Sequence, residues 1–176
     1  MIAALDHWHE FYVLLGTAGA TLLALLFVAV SLGTGFLTAD HAAPTRAFYS
    51  PVVIHFTSVF FVSAISLVPG HRPAFFAALI GATALIGALV SIVVTVQLVS
   101  RSWTQYLEDY LAYGLLPAVA YVALVAAALM IFKEMDYALD VLAAALLLLL
   151  IVNIRNVWDL MLSMVRRQAE SAKRKR

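Results

Sequence analysis

FYVLLGTAGATLLALLFVAVSLGTGF, residues 11–36, runs for 26 residues without a charged side chain. About 20 apolar residues cross the hydrocarbon of a bilayer as a helix, so this stretch is long enough to do so alone. The rest of the chain repeats the pattern. Of its 176 residues, 64% are hydrophobic and 12% charged, with a mean hydropathy of +0.98. A soluble domain is nearer half apolar and a quarter charged. This balance excludes a soluble enzyme, a nucleic-acid binder and a disordered regulator, and predicts an all-α integral membrane helix bundle. With no cysteine in the chain, disulfides, thiol catalysis and cysteine metal sites are excluded together.

Working outward from residues 11–36, four more apolar segments follow, at about 51–68, 73–100, 111–132 and 138–160. The second has proline at or just past each end, Pro51 and Pro69, and is separated from the third by Gly70, His71 and Arg72. Arg101 to Asp109 forms a polar connection before the fourth. The fifth is the shortest in uncharged length, with 14 residues between Asp140 and Arg155. That is about 21 Å of helix against a hydrocarbon core near 30 Å, so either Asp140 or the Arg155/Asp159 pair must approach lipid. Arg155 snorkelling toward the headgroups is the preferred solution. The chain reads as one membrane domain, residues 1–176.

Charge sets the expected orientation. In the tail, residues 166–176, Arg166, Arg167, Lys173, Arg174, Lys175 and Arg176 stand against Glu170, leaving +5 there and −4 in the remainder. Such a cluster predicts a cytoplasmic C-terminus that meets anionic lipid headgroups. The first ten residues carry Asp6 and Glu10 but no Lys or Arg, and lack the basic start and cleavage site of a signal peptide. Five spans put this acidic end outside and the basic end inside. A re-entrant second segment would put both on one side.

The helix faces separate packing from chemistry. Ala20, Ala24, Val28, Ser31 and Gly35 share a face of the first helix, with Thr17 and Thr21 at its margin; Ala77, Gly81, Ala84, Ala88, Ser91 and Thr95 make a similar strip on the third. Small residues allow close helix approach in lipid, so both strips read as seams, within the chain or between protomers of a homo-oligomer or larger membrane complex. Trp103, Tyr106, Tyr110, Tyr113, Pro117 and Tyr121 line one stripe of the fourth helix, read as an interfacial belt continuing into packing, with a ligand-stacking wall as the alternative.

Polar residues gather in one layer. His55 is the only histidine well inside a span, shares a face with Ser58, and needs a partner, since an ionisable group in hydrocarbon is costly. On the fifth helix Arg155 and Asp159 are spaced i,i+4, with Asn153, Asn156 and Ser163 nearby. Five-span topology brings His55, Ser58, Thr34, Thr95, Gln97, Asp109, Tyr113, Asn153, Arg155, Asn156 and Asp159 to the cytoplasmic half. The outer half offers scattered hydroxyls and Leu146 to Leu150. A channel through one protomer needs polar groups along its whole length, so the gradient points to a cluster that locks helices or receives a partner.

No HExxH, GxSxG, GxGxxG or phosphate-loop motif occurs, and no pair of intramembrane aspartates. Asp6, His7, His9 and Glu10 are possible metal ligands, but their alternation suits no single helix face; an interfacial anchor around Trp8 is the plainer reading, and no metal is expected. A symmetric dimer would be needed to supply two axial histidines from His55, so no haem or other cofactor is expected.

Three segments carry a resemblance. Phe11-Tyr12 with Gly16 and the run Ala24 to Leu32, Pro51-Val-Val-Ile-His-Phe56 leading to Leu67-Val-Pro69, and Ile154-Arg-Asn-Val-Trp-Asp-Leu160 resemble a group of small uncharacterised bacterial inner-membrane proteins. The last segment is the most specific. The resemblance spans nearly the whole chain and implies a bacterial all-helical inner-membrane fold, with His55 and Arg155 to Asp159 as positions of interest; it implies no particular activity. Together these readings predict a non-enzymatic scaffold or accessory membrane subunit. The competing reading is a small homo-oligomeric ion or proton channel, or a proton-coupled carrier, using His55.

Overall fold

The computed structural model describes the backbone of residues 2–33, 39–70, 72–101 and 110–174 and, within these, the side chains of 5–29, 31, 51–70, 72–97, 110–163, 165 and 166. Among the described residues the chain is helical throughout: α1 (Ile2–His7), α2 (His9–Gly33), α3 (Ala39–Ser66), α4 (Pro73–Arg101), a π-helical turn (Tyr110–Leu115) that runs directly into α5 (Leu116–Phe132), and α6 (Ala138–Arg174). Four helical stretches are long and apolar enough to cross a membrane: His9–Ala29, Pro73–Gln97, Tyr110–Phe132 and Ala138–Ser163. The apolar part of α3, Pro51–Ser66, is shorter.

Helix ends depart from the sequence reading in three places. Pro51 does not start the second helix; α3 begins at Ala39 and passes through both Pro44 and Pro51. A proline inside a helix removes one backbone N–H but does not end the helix when neighbouring packing sustains it. α6 continues 14 residues beyond 160, to Arg174, so the backbone of the tail from Arg166 to Arg174 is helical. The first helix begins two residues earlier than 11, at His9. Thr34, Gly35, Trp103, Tyr106, Asp109, Lys175 and Arg176 lie outside the described residues, as do the side chains of Arg167, Lys173 and Arg174.

The turns are built for the reversals they make. Gly70, at φ +78°, takes a left-handed conformation between α3 and α4 that glycine adopts without a Cβ penalty. At the end of α5, Glu134 takes φ 53°. Its N–H donates to the Ile131 carbonyl and that of Met135 to the Met130 carbonyl, closing the helix in a Schellman arrangement that usually has glycine at this position.

α3 lies at the centre of the assembly, against α2, α4 and α6, while α5 packs between α4 and α6. One core runs through all five long helices, with Tyr12, Phe56, Phe76, Ile80, Tyr121, Leu124, Leu142, Leu146 and Leu149 fully enclosed. The small strip of α4 faces inward: Ala77, Ala84 and Ser91 are buried. It is a seam within the chain, against α5, where small side chains admit the Tyr121 ring. The strip of α2 differs, because Thr17, Thr21, Ala24, Val28 and Ser31 are exposed.

Candidate functional site: a buried polar cluster joining α3, α5 and α6

The π-helical turn creates the first requirement for a polar side chain. In that turn each carbonyl waits for a donor five residues on, and for Ala112 that residue is Pro117, which has no N–H. A buried carbonyl left alone in an apolar interior costs about 1–3 kcal/mol. Asn156 of α6 fills the gap: its Nδ2 donates to the Ala112 carbonyl at 3.0 Å, and the next residue, Tyr113, returns a bond from its hydroxyl to the Asn156 backbone carbonyl, also at 3.0 Å. Two adjacent residues of one helix are thus clamped to one residue of another. Alongside, Gly114 lets Thr95 of α4 approach, since a Cβ there would stand 2.6 Å from the Thr95 Oγ1.

One turn earlier on α6, Asn153 donates its Nδ2 to the Val52 carbonyl of α3 at 2.9 Å. Both asparagines are 1% exposed, and the Oδ1 of each is buried without a hydrogen-bond partner. Their amide nitrogens point at carbonyls, which only accept, so the orientation of both amides is determined.

His55, one turn along α3 from Val52, finds its partner in Tyr121 of α5. Its Nδ1 lies 2.8 Å from the Tyr121 hydroxyl, which in turn lies 3.1 Å from Ser58 Oγ, and Ser58 Oγ donates to the Ile54 carbonyl at 2.8 Å. Only one placement of hydrogens makes all three bonds. The single serine hydrogen goes to the carbonyl, so Ser58 must accept from Tyr121, and the tyrosine oxygen must accept from His55. The ring is therefore protonated at Nδ1. The Tyr121 ring is seated on Gly87 of α4, where a Cβ would overlap the ring carbons, so the relay between α3 and α5 depends on a third helix.

The structure thus brings together His55, Ser58, Tyr113, Asn153 and Asn156 in successive layers of one interface. Arg155 and Asp159 form an i,i+4 ion pair at 3.5 Å with side chains 41% and 38% exposed, while the Arg155 Nη1 itself is buried. Gln97 is partly buried two residues beyond Thr95, Asp109 lies outside the described residues, and Arg166 is exposed. Reasoning from sequence missed Tyr121 and Gly87. Tyr121 was grouped with a packing stripe, though its eight-residue spacing from Tyr113 places both hydroxyls two turns apart on one face, the face that Pro117 shares.

At the opposite end, Trp8, Phe11 and Tyr12 form an aromatic cluster with ring centroids 5.3–6.4 Å apart. Among the described residues no three His, Asp or Glu side chains are grouped as metal ligands would be. No family model, curated protein or solved structure matches the chain.

Proposed function

We propose that the chain is a five-span protein of a bacterial inner membrane, with its N-terminus outside and its C-terminus in the cytoplasm. In this reading it acts without catalysis, as an oligomeric scaffold or accessory subunit. The observation that carries this reading is how its interior polar groups are used. Asn153, Asn156, Tyr113, Tyr121 and Ser58 bond to other helices or to their own backbone. His55 is 1% exposed, bonded into the same interface. Such groups hold helices in register, which is how polar side chains are commonly used between helices in lipid. The basic end of α6, the acidic start of the chain and the three resembling segments support the orientation and the bacterial membrane.

The exposed small-residue face of α2 is the surface on which a second copy or a partner helix would pack. The chain has no cysteine, so Ala24→Cys on α2 and Ala84→Cys on the buried face of α4 make a clean pair for crosslinking in membranes. The first should crosslink to a dimer and the second should not. A strictly monomeric protein with no co-purifying partner would overturn the scaffold reading. The channel or carrier reading requires water to reach His55; pH-dependent flux in proteoliposomes that disappears in His55→Ala would establish it in place of the scaffold.

A further inference from the structure

The end of α3 remote from the polar cluster meets the α1–α2 junction around a hollow of about 250 Å³, lined by Leu5, Asp6 and His9 on one side and by Ser66, Pro69 and Gly70 on the other. We propose that this hollow binds a primary ammonium group, either the headgroup of an ethanolamine lipid or a soluble alkylamine.

Two features of the hollow call for a cation that donates hydrogen bonds. Asp6 is exposed and contributes a carboxylate to the lining. The C-terminal end of a helix presents carbonyls without intrahelical donors and carries partial negative charge. Among the described residues that end takes a specific form. The N–H of Leu67 turns to Ala64 and that of Val68 to Ile65, each three residues back, and the next residue in that register, Pro69, has no N–H for the Ser66 carbonyl. An acidic residue and a helix C-terminus on opposite sides of one hollow are the reverse of the helix N-terminus that binds anions. An ammonium carries three donors and one positive charge, and suits both walls at once.

The position favours a group held at a membrane surface. His9 begins one apolar helical stretch and Ser66 ends another, and Leu5 and Val68 add apolar surface beside the acid. Trp8 and Phe11, packed edge to face at 5.4 Å, form the kind of aromatic anchor found at the boundary between lipid and water.

Native mass spectrometry of the full chain released from vesicles of equal phosphatidylethanolamine and phosphatidylglycerol tests this. It is paired with NMR titration of the detergent-solubilised protein with ethylammonium, following the backbone amides of Leu67, Val68 and Gly70. The wild type should retain phosphatidylethanolamine preferentially if the source is lipid, or show saturable amide shifts with ethylammonium if it is a soluble amine. Asp6→Asn should weaken either by about three- to fivefold, the range expected of an exposed ion pair. Glu10→Gln removes an acid one turn away that does not line the hollow and should change neither. Absence of both lipid preference and saturable shifts, or an equal loss in Glu10→Gln, would overturn the proposal.

Discussion

α3 is held to its neighbours in two different ways. Toward α2 the contact is made by absence of side chains: a Cβ on Gly16 would meet Ser63 Cβ at 3.2 Å, and one on Gly19 would stand 3.4 Å from the Phe60 backbone nitrogen. The buried Tyr12 hydroxyl and Ser63 Oγ, one on each of these helices, have no partner. Toward α5 and α6 the contact is made by directed bonds from His55 and from Asn153, with Asn156 and Tyr113 continuing the interface. Close approach of backbones relies on dispersion, which is tolerant of small shifts; carbonyl-to-amide bonds fix register, because a slip of one residue leaves both ends unpaired. The second contact is the one that determines how the bundle is assembled.

Substitutions across the two contacts should separate them, most visibly at Gly87. Gly87→Ala puts a methyl group in overlap with carbons of the Tyr121 ring and should lower stability by about 3 kcal/mol, read as a reduced unfolding midpoint in detergent. A midpoint within error of wild type would mean that the ring is not seated there. Asn156→Leu leaves the Ala112 carbonyl without its donor beside Pro117 and should cost about 1–2 kcal/mol in the same measurement. In Tyr121→Phe the loss should be about 1 kcal/mol, with a second and more specific readout. Without its tyrosine acceptor, the His55 ring should lose its fixed Nδ1–H tautomer, visible in imidazole nitrogen shifts; unchanged shifts would contradict the hydrogen assignment. Asp159→Asn breaks an ion pair that is more than a third exposed and should change stability by less than about 1 kcal/mol. Smallest of all is Ser63→Ala in the α2 contact. It removes a hydroxyl that bonds to nothing and should leave the midpoint unchanged or slightly raised, whereas a clear loss would reveal a partner for that hydroxyl.

Much of the architecture was legible in the residues because span length and uncharged composition are properties of single segments. Residues 73–100 and 111–132 correspond closely to α4 and to the π turn with α5. The start of α3 was not legible, since Pro44 and Pro51 are ordinary signals of a helix boundary and the helix runs through both. Of the cluster, His55 announced itself by being ionisable in an apolar segment, and Asn153 and Asn156 by being amides there. The expectation that Arg155 and Asp159 belong with them rests on shared depth in a five-span bundle. On a helix, though, Arg155 is turned about 100° from Asn156 and about 200° from Asn153, enough to leave its side chain partly exposed while the amides face inward.

By itself, the sequence determined that this chain forms apolar helices, four of them of membrane-crossing length, because hydropathy and helical period act locally. Tertiary structure alone decided which of their polar groups meet. The π turn shifts the orphaned carbonyl to Ala112, Gly87 admits Tyr121, and Tyr121 sets the proton on His55. Each of these depends on which helix lies opposite, a relation between residues 34 to 66 positions apart. The same holds for the two small-residue strips. They look alike along the chain, yet α4 turns its strip to α5 while α2 leaves its own exposed.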